Sequence, residues 1–161
     1  MKVLTIEAIA HAGGIPAGTL RSWLHRAYLP KPPVWAVEDA ALVRTMAHLI
    51  ALGYAPDAAG RITDTYRREI ARGEGWLLLT RAHDFAVGTD GSVTRGGTLV
   101  LTRREDVAAV LARLLDAGTD ASEAVVVDLR RLREKTELAL SHFNATRRRR
   151  GRPRKNKEAE S

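Results

Sequence analysis

The sequence predicts an α+β fold: helices up to residue 73, then a small α/β region with a hairpin sheet and a C-terminal helix. Three observations lead to this prediction. Apolar residues recur at helical spacing through the first 73 residues, and short apolar runs separated by Gly-rich turns follow from Trp76. A further 3-4-3-4 apolar pattern runs from Leu129 to Phe143. A chain of 161 residues can form one domain, or two small ones that share a core.

The first segment predicts two short helices joined by a tight turn. Thr5 is a candidate N-cap of the first helix, and "GGIP" at 13–16 ends that helix because glycine and proline interrupt helices. The second helix, predicted over 17–27, has an apolar stripe that includes Leu20 and Trp23. On or beside its opposite face lie five polar residues: Thr19, Arg21, Ser22, His25 and Arg26.

Two more helices are expected after a proline-rich break. "LPKPPVW" at 29–35 cannot be helical, so it predicts an extended loop or wing. A third helix is predicted over 37–52. A fourth is predicted over 54–73, with Pro56 near its first turn.

The second half predicts a small sheet with helices. "WLLLT", "FAV", "TLVLT" and "EAVVVD" have the composition of strands. Thr102 and Glu105 fit a capping box for a helix that continues through Leu115 and stops at Gly118. The last helix is predicted over 129–145.

Charge is distributed unevenly along the chain. Eight of the 26 basic residues lie within 147–157 with no acidic residue among them, and the other 18 face 19 acidic residues. The body is therefore nearly neutral, and the end of the chain carries the excess. Such a block repels itself and has nothing to bury, which predicts a basic disordered tail over 147–161 whose natural partners are polyanions.

The stretch "LTIEAIAHAGGIPAGTLRSWLHRAYLP" resembles the winged helix-turn-helix of MerR-type regulators. Proteins of that family begin with a Thr-Ile helix and open the next helix with Thr-Leu-Arg and an aromatic residue. Thr5-Ile6, Thr19-Leu20-Arg21 and Trp23 occupy those places here. The later stretch "VWAVEDAALVRTMAHLIALGYAPDAAGRI" resembles the next element of the family through its aromatic, acidic and Gly-aromatic positions: Trp35, Glu38, Asp39 and Gly53-Tyr54.

This resemblance implies a DNA-binding domain over 1–73 and assigns roles to individual residues. Arg21 would contact the DNA backbone or a base edge, and Lys31 in the wing would meet phosphate. Thr19 at the start of the same helix belongs to the predicted site, and Ser22, His25 and Arg26 would lie along the major groove. The sequence departs from the family pattern at Leu24, where many relatives have an acidic residue, and at Ala27, where glycine is usual.

The tail resembles an AT-hook in its core, Arg150-Gly151-Arg152-Pro153, which Arg154 follows. Glycine permits close approach to the floor of a narrow groove, and proline keeps the backbone extended. A·T-rich minor grooves are narrow and strongly negative, so they attract inserted arginines. The sequence therefore predicts minor-groove binding with A·T preference; the alternative is a generic polybasic tail that binds phosphates of any nucleic acid.

An enzymatic function is not predicted. His83-Asp84 is the most enzyme-like pair, but neighbouring residues of a strand point to opposite faces. No nucleotide-binding or nucleophile motif is present, cysteine is absent, and the histidines lack metal-binding spacing. We therefore predict no cofactor and no metal site.

These observations together predict a sequence-specific protein that binds double-stranded DNA, in the manner of a transcriptional regulator. It would be cytoplasmic and nucleoid-associated, without a membrane partner, because no apolar run approaches the roughly 20 residues of a membrane span. Residues 74–146 would pair two copies into a homodimer through a sheet edge or the helix over 129–143. Two alternatives stay open: an architectural or assembly protein for excision or packaging of DNA, and a protein adaptor with a nonspecific nucleic-acid-binding tail.

Overall fold

The computed structural model describes residues 4–82, 85–87, 93–95, 99–116 and 121–150. It combines helices with antiparallel strands, which confirms the predicted α+β class. The helices are α1 (Ile6–Gly13), α2 (Ala17–His25), α3 (Val37–Ala51), α4 (Pro56–Thr65), α5 (Arg67–Arg72), α6 (Val107–Asp116) and α7 (Leu129–Arg150). The strands are β1 (Trp76–Ala82), β2 (Phe85–Val87), β3 (Val93–Arg95), β4 (Leu99–Thr102) and β5 (Ala121–Asp128), and one 3-10 turn (Arg104–Asp106) precedes α6.

Helices α1 and α2 are joined by a tight turn, as the sequence predicts. The hydroxyl of Thr5 accepts a hydrogen bond from the Ala8 N–H (3.3 Å), which confirms Thr5 as the N-cap of α1. Gly14 ends α1 in the left-handed conformation (φ 75°), where glycine carries no steric penalty. At the other end of α2, Ala27 is also left-handed (φ 56°), so α2 stops two residues before the predicted position.

The segment 26–36 contains no helix, in agreement with its prolines. It returns towards α1 through an antiparallel bridge, in which the Leu4 N–H donates to the Trp35 carbonyl (3.2 Å). Helix α3 then begins with the Asp39 carboxylate accepting from the Ala36 N–H (2.9 Å). α3 is the central helix and contacts α1, α4, α5 and α7.

The single helix predicted over 54–73 is wrong, because the chain forms two helices that meet at Tyr66. Tyr66 itself leaves helical geometry (φ −104°, ψ 25°). Just before it, Thr63 and Thr65 donate their hydroxyls to the carbonyls of Ala59 and Arg61, four residues earlier (2.8 and 2.9 Å). Bonds of this kind bend a helix slightly, but Thr45 and Thr136 form them within the unbroken helices α3 and α7, so they do not by themselves account for the break.

The larger sheet has the strand order β4-β1-β5 and is antiparallel throughout. Leu77 and Leu79 of β1, with Val127 of β5, lie on the face that joins the helical core. Since side chains alternate along a strand, the fully buried Leu78 faces the other side with Val126, and α6 packs against β1 and β5. Strands β2 and β3 form a separate hairpin.

Helix α7 packs against α1, α3 and α5, so the residues before and after residue 73 share one core. Its apolar stripe from Leu129 to Phe143, which we considered for pairing two copies, is covered by these helices of the same chain. The helix also continues to Arg150, five residues past the predicted end at 145 and into the predicted tail. Arginine forms helices well, and cations are favourable at a helix C-terminus, so the basic residues extend α7. The division at residue 73 stays a prediction.

Candidate nucleic-acid interface

The exposed polar surface of α2 contains the residues that the sequence predicts to contact DNA. Arg21, Ser22 and His25 are exposed on α2, and Arg26 is exposed directly after it. We call these four residues the α2 face. Thr19 is half-buried at the start of the same helix.

The opposite side of α2 fixes the orientation of this face. Leu20 is fully buried and Trp23 nearly so, and both belong to the core. Burial of a large apolar side chain contributes about 1.5–3 kcal/mol, so rotation of α2 to expose this stripe would be costly. The Trp23 carbonyl also accepts from the Tyr28 N–H (2.9 Å), which holds the chain end that follows α2.

An ion pair across the turn positions Arg21. Its Nη2 atom lies 2.6 Å from Oε1 of Glu7 in α1, and both side chains are more than half exposed. An ion pair with this exposure contributes at most about 1 kcal/mol to stability, so its main effect is to orient the guanidinium over α1. Helical periodicity does not reveal the role of Glu7, because Glu7 and Arg21 are 14 positions apart and only the packing of α1 on α2 brings them together.

Most other described arginines on the surface are neutralised by nearby carboxylates. These pairs are Arg61–Asp57, Arg67–Asp64, Arg72–Glu74, Arg103–Asp106, Arg130–Glu134 and Arg133–Glu137. By contrast, Arg26 of the α2 face and the exposed Lys31, five residues later in the chain, have no carboxylate partner within the described part of the chain. Arg68, Arg131 and Lys135 on α5 and α7 are likewise unpaired there. Unpaired positive charge beside exposed hydrogen-bonding side chains attracts an anionic partner.

The start of α2 also suits a phosphate group. Pro16 is its N-cap residue, and no side chain caps the helix. The first-turn N–H groups of a helix carry partial positive charge and accept anions readily. The N-terminus of α2 and the exposed side of the same helix would therefore both attract a polyanion.

Two of the predicted elements fall wholly or mainly outside the described residues. Arg150 is the last residue of α7, whereas Gly151, Arg152, Pro153 and Arg154 of the predicted AT-hook are not described. The His83-Asp84 pair is not described either.

Elsewhere, a cleft of about 360 Å³ lies where α5, the end of β4 and the 3-10 turn come together. It is lined by Glu69, Glu74, Gly75, Thr102, Arg103 and Asp106. Within the ranges that the structure covers, no three His, Cys, Asp or Glu side chains are grouped so that they could hold a metal ion. Over the same ranges, no helix has the length and apolar character required to cross a bilayer.

Comparison with known proteins adds no identification. No protein-family model matches the sequence, and no curated protein matches it. The resemblance to MerR-type regulators and to the AT-hook therefore rests on the motifs quoted above.

Proposed function

We propose that this protein binds double-stranded DNA sequence-specifically and regulates transcription. The observation that carries the proposal is the α2 face, which the buried Leu20 and Trp23 hold outward. Among the described residues, neither its Arg26 nor the nearby Lys31 in the sequence has a carboxylate partner. One side of α2 is buried in the core, and the other side is polar, exposed and basic. Recognition helices that enter a major groove have this form.

The dimensions of α2 agree with this role. Its nine residues give a helix about 13 Å long, close to the roughly 12 Å width of a major groove. Arg21, Ser22 and His25 would contact base edges, since their side chains supply the donors and acceptors that distinguish base pairs. Arg26 and Lys31 would contact phosphates and fix the position of the helix.

The basic tail would add a second contact in a neighbouring A·T-rich minor groove through Arg150, Gly151, Arg152 and Pro153. Because the tail and α2 belong to one chain, the second contact forms at a high effective concentration. Such linkage raises the overall affinity by about 10²–10⁴-fold without any further contact.

We also propose that two copies bind two half-sites, as is common for proteins that insert one helix per half-site. With the apolar stripe of α7 covered inside the chain, the edges of the sheet, β4 and β5, are the surfaces proposed for pairing. Light scattering that gives a strictly monomeric mass, with and without DNA, would rule out this arrangement. Bending of DNA together with higher-order assembly would indicate an architectural protein instead of a regulator.

The decisive experiment is selection of bound duplexes from a random pool, followed by fluorescence anisotropy across a salt series. Arg26→Ala and Lys31→Ala should each make the plot of log association constant against log salt concentration less steep, by about 1 unit of slope. The sequence preference should be kept. Arg21→Ala should relax the preference at one or two base pairs, by about 1–3 kcal/mol. In the tail, Arg150→Ala combined with Arg152→Ala should remove the preference for A·T-rich duplexes.

The matched control is Arg130→Ala. Arg130 is an exposed arginine paired with Glu134 at the start of α7, roughly 20 Å along the helix from Phe143. This substitution should leave binding unchanged. If it weakens binding as much as Arg26→Ala does, only overall charge matters and the proposed interface is wrong.

A further inference from the structure

The α2 face contains two arginines in different electrostatic surroundings. Arg21 donates from Nη2 to Oε1 of Glu7 in α1 (2.6 Å), whereas Arg26 has no carboxylate partner among the described residues. A guanidinium has several N–H donors, and the bond to Glu7 uses one of them. The Arg21 side chain is 58% exposed, so its other donors are accessible. The bond therefore holds Arg21 in place and leaves donors for a binding partner.

Both residues of this pair lie on helices that the core fixes. Glu7 is in the first turn of α1, which the Thr5 side chain caps and whose Ile9 is fully buried. Leu20, next to Arg21 in the sequence, is fully buried in the same core. The two helices can therefore shift little, and the ion pair restrains the long Arg21 side chain over α1. A side chain restrained in this way loses less conformational entropy when it binds a partner.

The Glu7 carboxylate also influences which part of a duplex Arg21 can contact. It offsets the charge that would attract Arg21 to a phosphate, and it repels phosphate oxygens itself. Base edges carry no net charge, so hydrogen-bond geometry decides a contact with them. In the major groove, guanine alone presents two neighbouring acceptors, O6 and N7, which match two N–H groups of one guanidinium. The paired Arg21 is therefore suited to a guanine edge, and the unpaired Arg26 to a phosphate.

We infer that Glu7 is a positioning residue that directs Arg21 to a guanine in the site read by α2. Glu7 acts through Arg21 and not by a contact of its own with DNA. This inference rests on the proposed function and names one base of its DNA substrate. It also selects one of the two contacts that the family resemblance implies for Arg21, a base edge in place of the backbone.

Substitution of Glu7 in the full-length chain tests this role. The duplex that the wild type selects from a random pool is made with each base pair in turn at the position whose preference Arg21→Ala weakens. Fluorescence anisotropy should then give a wild-type preference for guanine of about 5- to 150-fold, the range of a bidentate contact. Glu7→Ala should reduce this preference by about three- to fivefold, within the range that an exposed ion pair provides. Glu7→Gln should retain more of the preference, because its amide oxygen still accepts from Arg21.

The ratio of affinities between these duplexes separates positioning from charge. Loss of the Glu7 carboxylate raises affinity for every duplex by the same factor, because attraction to phosphates does not distinguish bases. In a chain that carries Arg21→Ala, the further change Glu7→Ala should leave the ratio unaltered, since Glu7 acts only through Arg21. Glu134→Ala is the matched control: it removes the partner of Arg130 on α7 and should leave the ratio at its wild-type value. Glu7 and Arg21 are more than half exposed, so their substitution removes no core contact.

Three results would overturn the inference while the proposed function stands. The first is a preference for a base other than guanine at the position that depends on Arg21. The second is an unchanged guanine preference in Glu7→Ala. The third is an equal loss of affinity for every duplex in Arg21→Ala, which would place this arginine on a phosphate. If the wild type selects no sequence from the pool, the proposed function itself fails, and the inference fails with it.

Discussion

Replacement of Gly60 by alanine tests how α4 supports the chain end that follows α2. An added Cβ would lie 2.2 Å from the carbonyl oxygen of Tyr28 and 3.1 Å from its carbonyl carbon. Since an ordinary carbon–oxygen contact is about 3.3 Å, α4 or the Tyr28 segment must move by roughly 1 Å. Both partners are backbone, so no side-chain rotation relieves the clash. Overpacking of this kind costs about 1–3 kcal/mol, and the helix propensity gained from alanine returns about 0.5–1 kcal/mol.

We therefore expect Gly60→Ala to lower the free energy of unfolding by about 2 kcal/mol, the upper end of the overpacking cost less the propensity gain. Urea denaturation followed by circular dichroism measures this as a lower midpoint at unchanged slope. Gly18→Ala is the matched control, because Gly18 is also helical but has no atom within 4 Å of the added Cβ. The control should gain about 0.5–1 kcal/mol. Equal stabilities of the two variants would refute the close approach of α4 to Tyr28.

Three further predictions concern stability. The Arg44 Nε donates to the Ala12 carbonyl at the end of α1 (2.7 Å), so Arg44→Met should lower the unfolding free energy by about 1–2 kcal/mol; unchanged thermal unfolding would contradict this role. Ala27→Gly should raise the free energy of unfolding by about 0.5–1 kcal/mol, because the strain that glycine relieves in the left-handed conformation exceeds the entropy that it adds to the unfolded chain. A lower free energy of unfolding in urea would show that Ala27 is unstrained. Partial burial, and then the charge of Lys135, lower the pKa of His48, so the fold favours its neutral form. Stability should therefore be unaffected above the ordinary histidine pKa of about 6.5 and fall as the pH drops below it. His48→Gln should lose less stability between pH 7.5 and 5, and an identical pH profile would contradict this assignment.

The sequence predicted those elements whose causes are local. Thr5 caps α1 because its hydroxyl accepts a hydrogen bond from a free N–H group in the first turn of the helix. This interaction is local and does not depend on the rest of the chain. Leu20 and Trp23 are buried because their spacing places them on one side of α2. The docking of α7 on α1 depends on contacts between distant segments, which helical periodicity does not contain.

The candidate site could be predicted in part for the same reason. Amphipathic spacing identified the exposed side of α2, so Arg21, Ser22 and His25 lie where they were expected to lie. The same spacing says nothing about which cations have partners. Glu7 was missed because its pairing with Arg21 arises from the angle between two helices.

The pairing of charges matters for function because the body as a whole is nearly neutral. Arg61, Arg130 and Arg133 on α4 and α7 are each paired with a carboxylate one turn away, so these three side chains add little net charge to the surface. Within the described residues, cations without a carboxylate partner lie at the end of α2 (Arg26 and Lys31) and on α5 and α7 (Arg68, Arg131 and Lys135), and the basic tail follows α7 in the sequence. If the protein binds DNA as proposed, the cations at the end of α2 would help to turn this helix towards the duplex before contact. Under the proposed function, the association rate should fall with added salt more steeply for the wild type than for a chain that lacks Arg26 and Lys31, because salt screens the attraction that these two cations add.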